Sequence, residues 1–202
     1  DTDRVRQLAD YAIARHDPDL AGTEDRYLAL LRRVAQRQAT LVAGWMNVGF
    51  IHGVLNTDNV ALSGETIDYG PCAFLETYNP DAVFSSIDHG GRYAYRNQPA
   101  VTRWNLARLA ETLLPLIAGQ DSEAAATRAT EQATGVIDDF QKWYETALLS
   151  GQPGRQVESV GMRFSRHAAA ASGAMMKSTM ANAAPRIASS RCDAARNLGE
   201  SP

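Results

Sequence analysis

Cysteine is nearly absent from this chain: Cys72 and Cys192 are the only two in 202 residues. That excludes a disulfide framework and fits a reducing compartment. Long apolar runs are missing too. No stretch approaches the roughly 20 consecutive apolar residues of a membrane span, so no membrane partner is expected. Charge of one sign is also scarce. The formal net charge is −3, too small to draw the whole chain to nucleic acid or an anionic surface. The opening residues, Asp1-Thr2-Asp3-Arg4, hold neither an initiator Met nor an apolar signal core. They read as the cut end of a longer chain. High Ala and Arg usage fits a GC-rich bacterial source, and a cytoplasmic location is expected.

What is present fits one globular domain with a tail. Hydrophobic residues make up 45% and charged residues 21%, an ordinary soluble composition. The charge is uneven, with seven Lys or Arg against three Asp or Glu in residues 151–202. In that tail the large aliphatic and Phe residues are Val157, Val160, Phe164, Ile187 and Leu198. So little apolar surface does not offset the entropy of ordering the segment. The expected division is a domain over residues 1–150 and a disordered or unrelated tail over 151–202. A frameshifted or foreign end is the preferred account of the tail, and a natural basic tail is the alternative. Its basic residues lack aromatic interleaving, so no nucleic-acid partner is expected.

Apolar spacing predicts four helices. Val5, Leu8, Ala9, Ala12 and Ile13 mark the first, over 3–15. Pro18 ends it, and Gly22-Thr23 offers a cap for the second, about 24–48. The stripe of that second helix is Tyr27, Leu31, Val34, Leu41, Val42 and Trp45, with Arg32, Arg33, Arg37 and Gln38 largely outside it. A third helix over 100–118 follows Pro99, and Pro115 should bend or shorten it. A fourth, about 123–149, takes Asp121 or Ser122 as cap and Gly151 as stop. Residues 71–98 show no sustained period. A loop this long inside a domain is usually functional or mobile.

The chemistry concentrates between His52 and Gly70. Asp58 and Asn59 lie on one short loop and Asp68 on a second. Residues 60–63 and 65–67 are expected to form a short β-hairpin between them. Mg²⁺ takes hard oxygen ligands, typically one or two protein side chains together with phosphate oxygens. An Asp with an adjacent Asn, then Asp68-Tyr69-Gly70, suits such a site. In kinase-type transfer one Asp orients or deprotonates the acceptor while an Asn and the Asp of Asp-x-Gly hold the ions. Gly70 is expected to let the chain turn sharply behind Asp68. Asp58 is therefore the candidate base, and Asn59 and Asp68 the candidate metal ligands. His52 is expected to brace the loop rather than react. Asp88, Arg92 and Tyr93 are a group for acceptor docking or ion pairing, with a solvated loop as the competing reading.

The local order departs from that of ordinary kinases, because the candidate base stands directly beside the amide ligand. That pattern, with Thr66-Ile67-Asp68-Tyr69-Gly70-Pro71, closely resembles the SelO (YdiU) family. The resemblance extends to Gly44-Trp45-Met46-Asn47-Val48-Gly49-Phe50-Ile51-His52-Gly53, to Asp88-His89-Gly90-Gly91-Arg92-Tyr93-Ala94-Tyr95, and to Asn97-Gln98-Pro99-Ala100-Val101. It spans roughly residues 1 to 149.

The resemblance implies a mainly α fold, the C-lobe of a protein-kinase-like domain with a short β-hairpin at the metal loop. It implies a protein adenylyltransferase that moves AMP from ATP to Ser, Thr or Tyr hydroxyls of proteins. Mg²⁺ is the implied cofactor, with Mn²⁺ possible, and Asp68 would meet ATP through the metal. The family's Gly-rich loop and its phosphate-facing Lys and Arg residues lie upstream of Asp1. The Cys or selenocysteine motif near the family's C-terminus is also missing, and Cys192 does not replace it. Two alternatives follow: a non-catalytic fragment or binding module, and a kinase-type phosphotransferase. Without an N-lobe, part of the Tyr27–Trp45 face or the strands near Val60 are expected to lie uncovered.

Overall fold

A computed structural model describes residues 1–151 of the chain, and the tail expectations lie outside the described residues. The described part is mainly α. Its helices are α1 (Thr2–His16), α2 (Arg26–Val48), α3 (Gln98–Ala118) and α4 (Glu123–Ser150). Between α2 and α3 runs a long irregular segment with two short strands, β1 (Phe50–Ile51) and β2 (Ala73–Phe74).

Three helices make the core: α2 packs on α4 and α3, and α3 packs on α4. Small residues stand at the contacts. Ala35 and Ala39 of α2, Ala107 and Ala110 of α3, and Ala133 of α4 are fully buried. Their short side chains let the backbones approach, while Leu31, Val42, Leu114, Ile137 and Phe140 fill the space between. Truncating a buried aromatic such as Phe140 to Ala costs about 3–5 kcal/mol by lost contact and cavity formation.

The helix ends follow local chemistry. Ser122 Oγ accepts the N–H of Ala125 at 3.2 Å, so Ser122 is the cap of α4. Thr23 does not cap α2; its hydroxyl donates to the Leu20 carbonyl at 2.9 Å, and α2 begins after Asp25. Helix α3 continues through Pro115 to Ala118 and is not shortened there. The stripe of α1 is narrower than its spacing suggests. Leu8 is 67% exposed, and Ala9, Ala12 and Ile13 make the buried face.

The β structure differs from expectation. Residues 60–67 form one isolated bridge, Val60 to Thr66, rather than a hairpin of two strands. The ladder lies outside it, β1 against β2 antiparallel, with Phe50 opposite Phe74 and Ile51 opposite Ala73. The tight Ala61–Gly64 turn leaves room for little more than a bridge, and its carbonyls bond to α2 instead. Gln38 accordingly is not on the outer face. It is buried, and its Nε2 donates to the Ala61 carbonyl at 2.7 Å.

Tyr27 and Trp45 are both buried at 7% exposure, so the expected bare face on α2 is covered. The exposed large apolar side chains of this region are Val48 at the last position of α2 and, beyond it, Ile67, Tyr69, Phe74, Tyr78, Phe84 and Ile87.

Candidate functional site

Helix α2 holds the second half of the acid-bearing segment. Gln38 takes Ala61, and Arg37 Nη1 reaches the Leu62 carbonyl at 3.4 Å. The Trp45 indole N–H donates to Thr66 Oγ1 at 3.0 Å. Arg37 is itself anchored: Asp17, 1% exposed, binds its guanidinium with both carboxylate oxygens. Burying a carboxylate is costly unless it is paired and hydrogen-bonded in this way.

Helix α3 holds the first half. The Gln98 amide accepts the His52 N–H and donates to the Phe50 carbonyl, each at 2.9 Å. Asn105 Nδ2 donates to the Leu55 carbonyl at 3.0 Å. These glutamines and asparagines were not legible as site residues. Their only sequence signal is a polar side chain on a helix face that is otherwise apolar.

His52 joins the halves. Its ring is buried between two backbone groups: Nδ1 accepts the Val54 N–H at 3.4 Å, and Nε2 donates to the Ile67 carbonyl at 2.8 Å. Since a backbone N–H only donates and a carbonyl only accepts, the proton belongs on Nε2. These two contacts tie the start of the first loop to the residue before Asp68.

Asn59 lies in a short 3₁₀ turn, Thr57–Asn59, and its Nδ2 donates to the Val54 carbonyl at 2.8 Å. That bond aims the amide nitrogen inward and leaves Oδ1 as its free end. Asp58 and Asp68 are exposed, and neither takes part in the ion pairs of the described residues. Two free carboxylates and one free amide oxygen are the hard donors that suit Mg²⁺ or Mn²⁺. Among the described residues no three His, Cys, Asp or Glu side chains gather into a metal cluster. The candidate set, with two carboxylates, would leave the remaining positions to water and phosphate.

The backbone around these groups is unusual in two places. Asp68 has φ +54°, the one non-glycine residue in the left-handed region among those described. Asp tolerates that region better than most residues. Gly70, expected to make the turn, does not have positive φ; Asp68 itself makes it. The demanding glycine is Gly53, with φ +84°, where a Cβ would meet Pro71 Cγ and O at 2.9 Å. The start of the first loop therefore lies directly against the residue that follows Asp68-Tyr69-Gly70.

Asp88 does not pair with the Arg92 guanidinium. Its two carboxylate oxygens accept the backbone N–H groups of Arg92 and Tyr93, at 2.9 and 2.8 Å. The Arg92 guanidinium lies over Trp104, 4.6 Å from the ring centre. The turn so fixed points the Tyr93 hydroxyl to Asn56 Oδ1, two residues before Asp58. Neither Asn56 nor Tyr93's contact with it was foreseen.

The class comes first from relatives. The protein nucleotidyltransferase YdiU of Chromobacterium violaceum is 63% identical over 148 residues, 73% of this chain and 31% of the relative. That of Cereibacter sphaeroides (strain KD131) is 60% identical over 151 residues, 75% of this chain and 30% of the relative. That of Rhizobium rhizogenes is 56% identical over 151 residues, 75% of this chain and 29% of the relative. The chain thus spans about three tenths of the length of these curated relatives. The family model described as protein adenylyltransferase SelO matches residues 1–164, and the chain belongs to the SelO family. That match runs past residue 149, where the resemblance was read to end.

Proposed function

We propose that this chain carries the catalytic C-lobe of a protein-kinase-like adenylyltransferase that moves AMP from ATP to hydroxyl side chains of proteins. The observation that carries the reading is the pair of unpaired acid loops locked together through His52, in a chain of the SelO family. Asp58 orients the acceptor hydroxyl and takes its proton. The acceptor oxygen then bonds to the α-phosphorus, and pyrophosphate leaves with the electron pair of the broken P–O bond. Asn59 Oδ1 and the Asp68 carboxylate are the groups to hold Mg²⁺ or Mn²⁺, which when bound supplies charge stabilisation at the phosphorus. The Asp88–Arg92–Tyr93 turn, whose Tyr93 hydroxyl donates to Asn56, is the surface this reading assigns to the acceptor protein. Cytoplasmic location fits the scarcity of cysteine. Among the described residues no helix is long and apolar enough to cross a membrane.

The test is a chimera: residues 1–148 of this chain replace the matching segment of the Chromobacterium violaceum relative. Incubation with ATP, Mg²⁺ and an acceptor protein, followed by intact-mass measurement, should show AMP addition. Phosphate addition would instead establish kinase-type transfer.

A second reading is a non-catalytic binding module. It concerns the 202 residues tested by themselves, whose matched part spans about three tenths of the length of these relatives. Phosphate positioning in such transfers draws on groups from both lobes. The 202-residue chain alone should then bind ATP·Mg²⁺ weakly by calorimetry and transfer no AMP. Micromolar binding with robust transfer would remove this reading.

A further inference from the structure

Gln98 and Asn105 stand two turns apart on one face of α3, 1% and 4% exposed. Together they hold Phe50, His52 and Leu55, the backbone on both sides of the buried histidine. Neither amide has a hydrogen bond to the second loop among the described residues. Of the groups they hold, the His52 ring reaches it, through Ile67, the neighbour of Asp68, while Trp45 and the Val60–Thr66 bridge fasten that loop one residue earlier.

One detail argues against simple polar satisfaction in a core. Asn105 Oδ1 is buried and has no partner. A Leu at this position would remove that orphan acceptor, yet would release the Leu55 carbonyl. An amide that leaves one end unsatisfied is retained for what its other end holds. Gln98 is matched at both ends, and its acceptor and donor are spaced to take an N–H and a carbonyl two residues apart along one strand edge.

We propose that Gln98 and Asn105 are positioning residues: they fix the backbone of His52 so that its ring spans from Val54 to Ile67, and thereby set the Asp68 loop against the Asp58-Asn59 loop. The functional meaning rests on the adenylyltransferase reading of those loops, but the coupling itself is a property of the protein without nucleotide or metal. With Gln98 in place, the His52 N–H and the Phe50 carbonyl are tied to the helix, and the ring has one available pose. Without it the backbone relaxes, the ring withdraws from Ile67, and water competes for Nε2–H.

Histidine-selective nitrogen NMR on the 202-residue chain reads this directly. The His52 signal is assigned by its loss in His52→Gln. The wild type should show the Nε2–H tautomer, with a proton protected from solvent exchange. Gln98→Met, of similar volume, should speed that exchange at least tenfold and shift the Asp68 amide resonance, although Gln98 does not contact Asp68. Asn105→Leu should do the same more weakly. Gln98→Glu keeps the acceptor for the His52 N–H and should recover part of the protection. If Gln98→Met does not fold, by loss of helical circular dichroism, Asn105→Leu and Gln98→Glu decide. Unchanged tautomer, exchange and Asp68 resonance in the folded variants would overturn the coupling. Failure of AMP transfer by the chimera with an intact His52 signature would count against the function and not against this coupling.

Discussion

At Asp68 the roles of charge and backbone separate. The residue holds φ +54° and has no protein cation beside it in the described ion pairs. Replacing it with Asn keeps a side chain that tolerates the left-handed region and removes only the charge. Asp68→Asn in the chimera should lose AMP transfer by at least a hundredfold while its urea midpoint stays within experimental error. Transfer at the normal rate would show that Asp68 is no ligand. Gly53 makes the converse case, with no chemistry and strict geometry. Ala there must adopt φ +84° and place its Cβ 2.9 Å from Pro71. The backbone alone costs about 1–2 kcal/mol, and overpacking adds about 1–3. Gly22 is the control, since it has φ +87° but nothing within 4 Å of a built Cβ. Gly22→Ala should therefore cost only the backbone share, and a matched pair of urea titrations measures the difference. The three acid and amide residues could be singled out in the sequence as candidates because their types and order match a known chemistry. Gly53, Gln98 and Asn105 were not, because a glycine or a buried amide shows its purpose only once the backbone it meets is known.

At the scale of elements, helices were the readable part. The stripes of α2 and α4 run for several turns, so one misplaced residue hardly moves the pattern. The short α1 shows the limit. With the rest of the domain covering only a narrow face, Leu8 reads as core by spacing and stands in solvent. Strands of two residues give no period to read. The partner of Phe50-Ile51 lies beyond the whole acid segment, at Ala73-Phe74, so propensity could not name it. Helix capping separates Ser122 from Thr23 in the same way. Ser122 Oγ takes an otherwise unpaired N–H of α4, and Ser122→Ala should cost about 1 kcal/mol. Thr23 bonds a carbonyl before α2, so Thr23→Ala should cost less than that. Equal losses in chemical denaturation would mean that the cap of α4 is not carrying its share.

Across the whole molecule, the tyrosines link the three-helix core to pH. Burial pushes the phenols of Tyr27, Tyr95 and Tyr144 above the ordinary tyrosine value. Asp10 adds to the rise at Tyr27, and Tyr78 adds to it at Tyr95. Tyr144 is raised furthest; it is 1% exposed and stacked with Phe140 where α4 meets the core. A phenol is neutral when protonated, so a raised value means that the folded chain holds its proton where the unfolded chain has lost it. Stability from these groups is therefore complete below the unfolded value, about 10. It falls as pH rises from there toward the folded values. Each group that must stay protonated steepens the fall by about 1.4 kcal/mol per pH unit. Tyr144→Phe keeps the ring and removes the titrating hydroxyl. Its stability at pH 8 should match the wild type within about 1 kcal/mol. Between pH 10 and 11.5 the wild type should lose stability faster than Tyr144→Phe, by about the share of one proton. Urea midpoints across that range, with the phenolate absorbance followed in parallel, make the comparison. Identical pH slopes for the two proteins would mean that Tyr144 ionises without unfolding and that the α4 contact opens to solvent in the folded state.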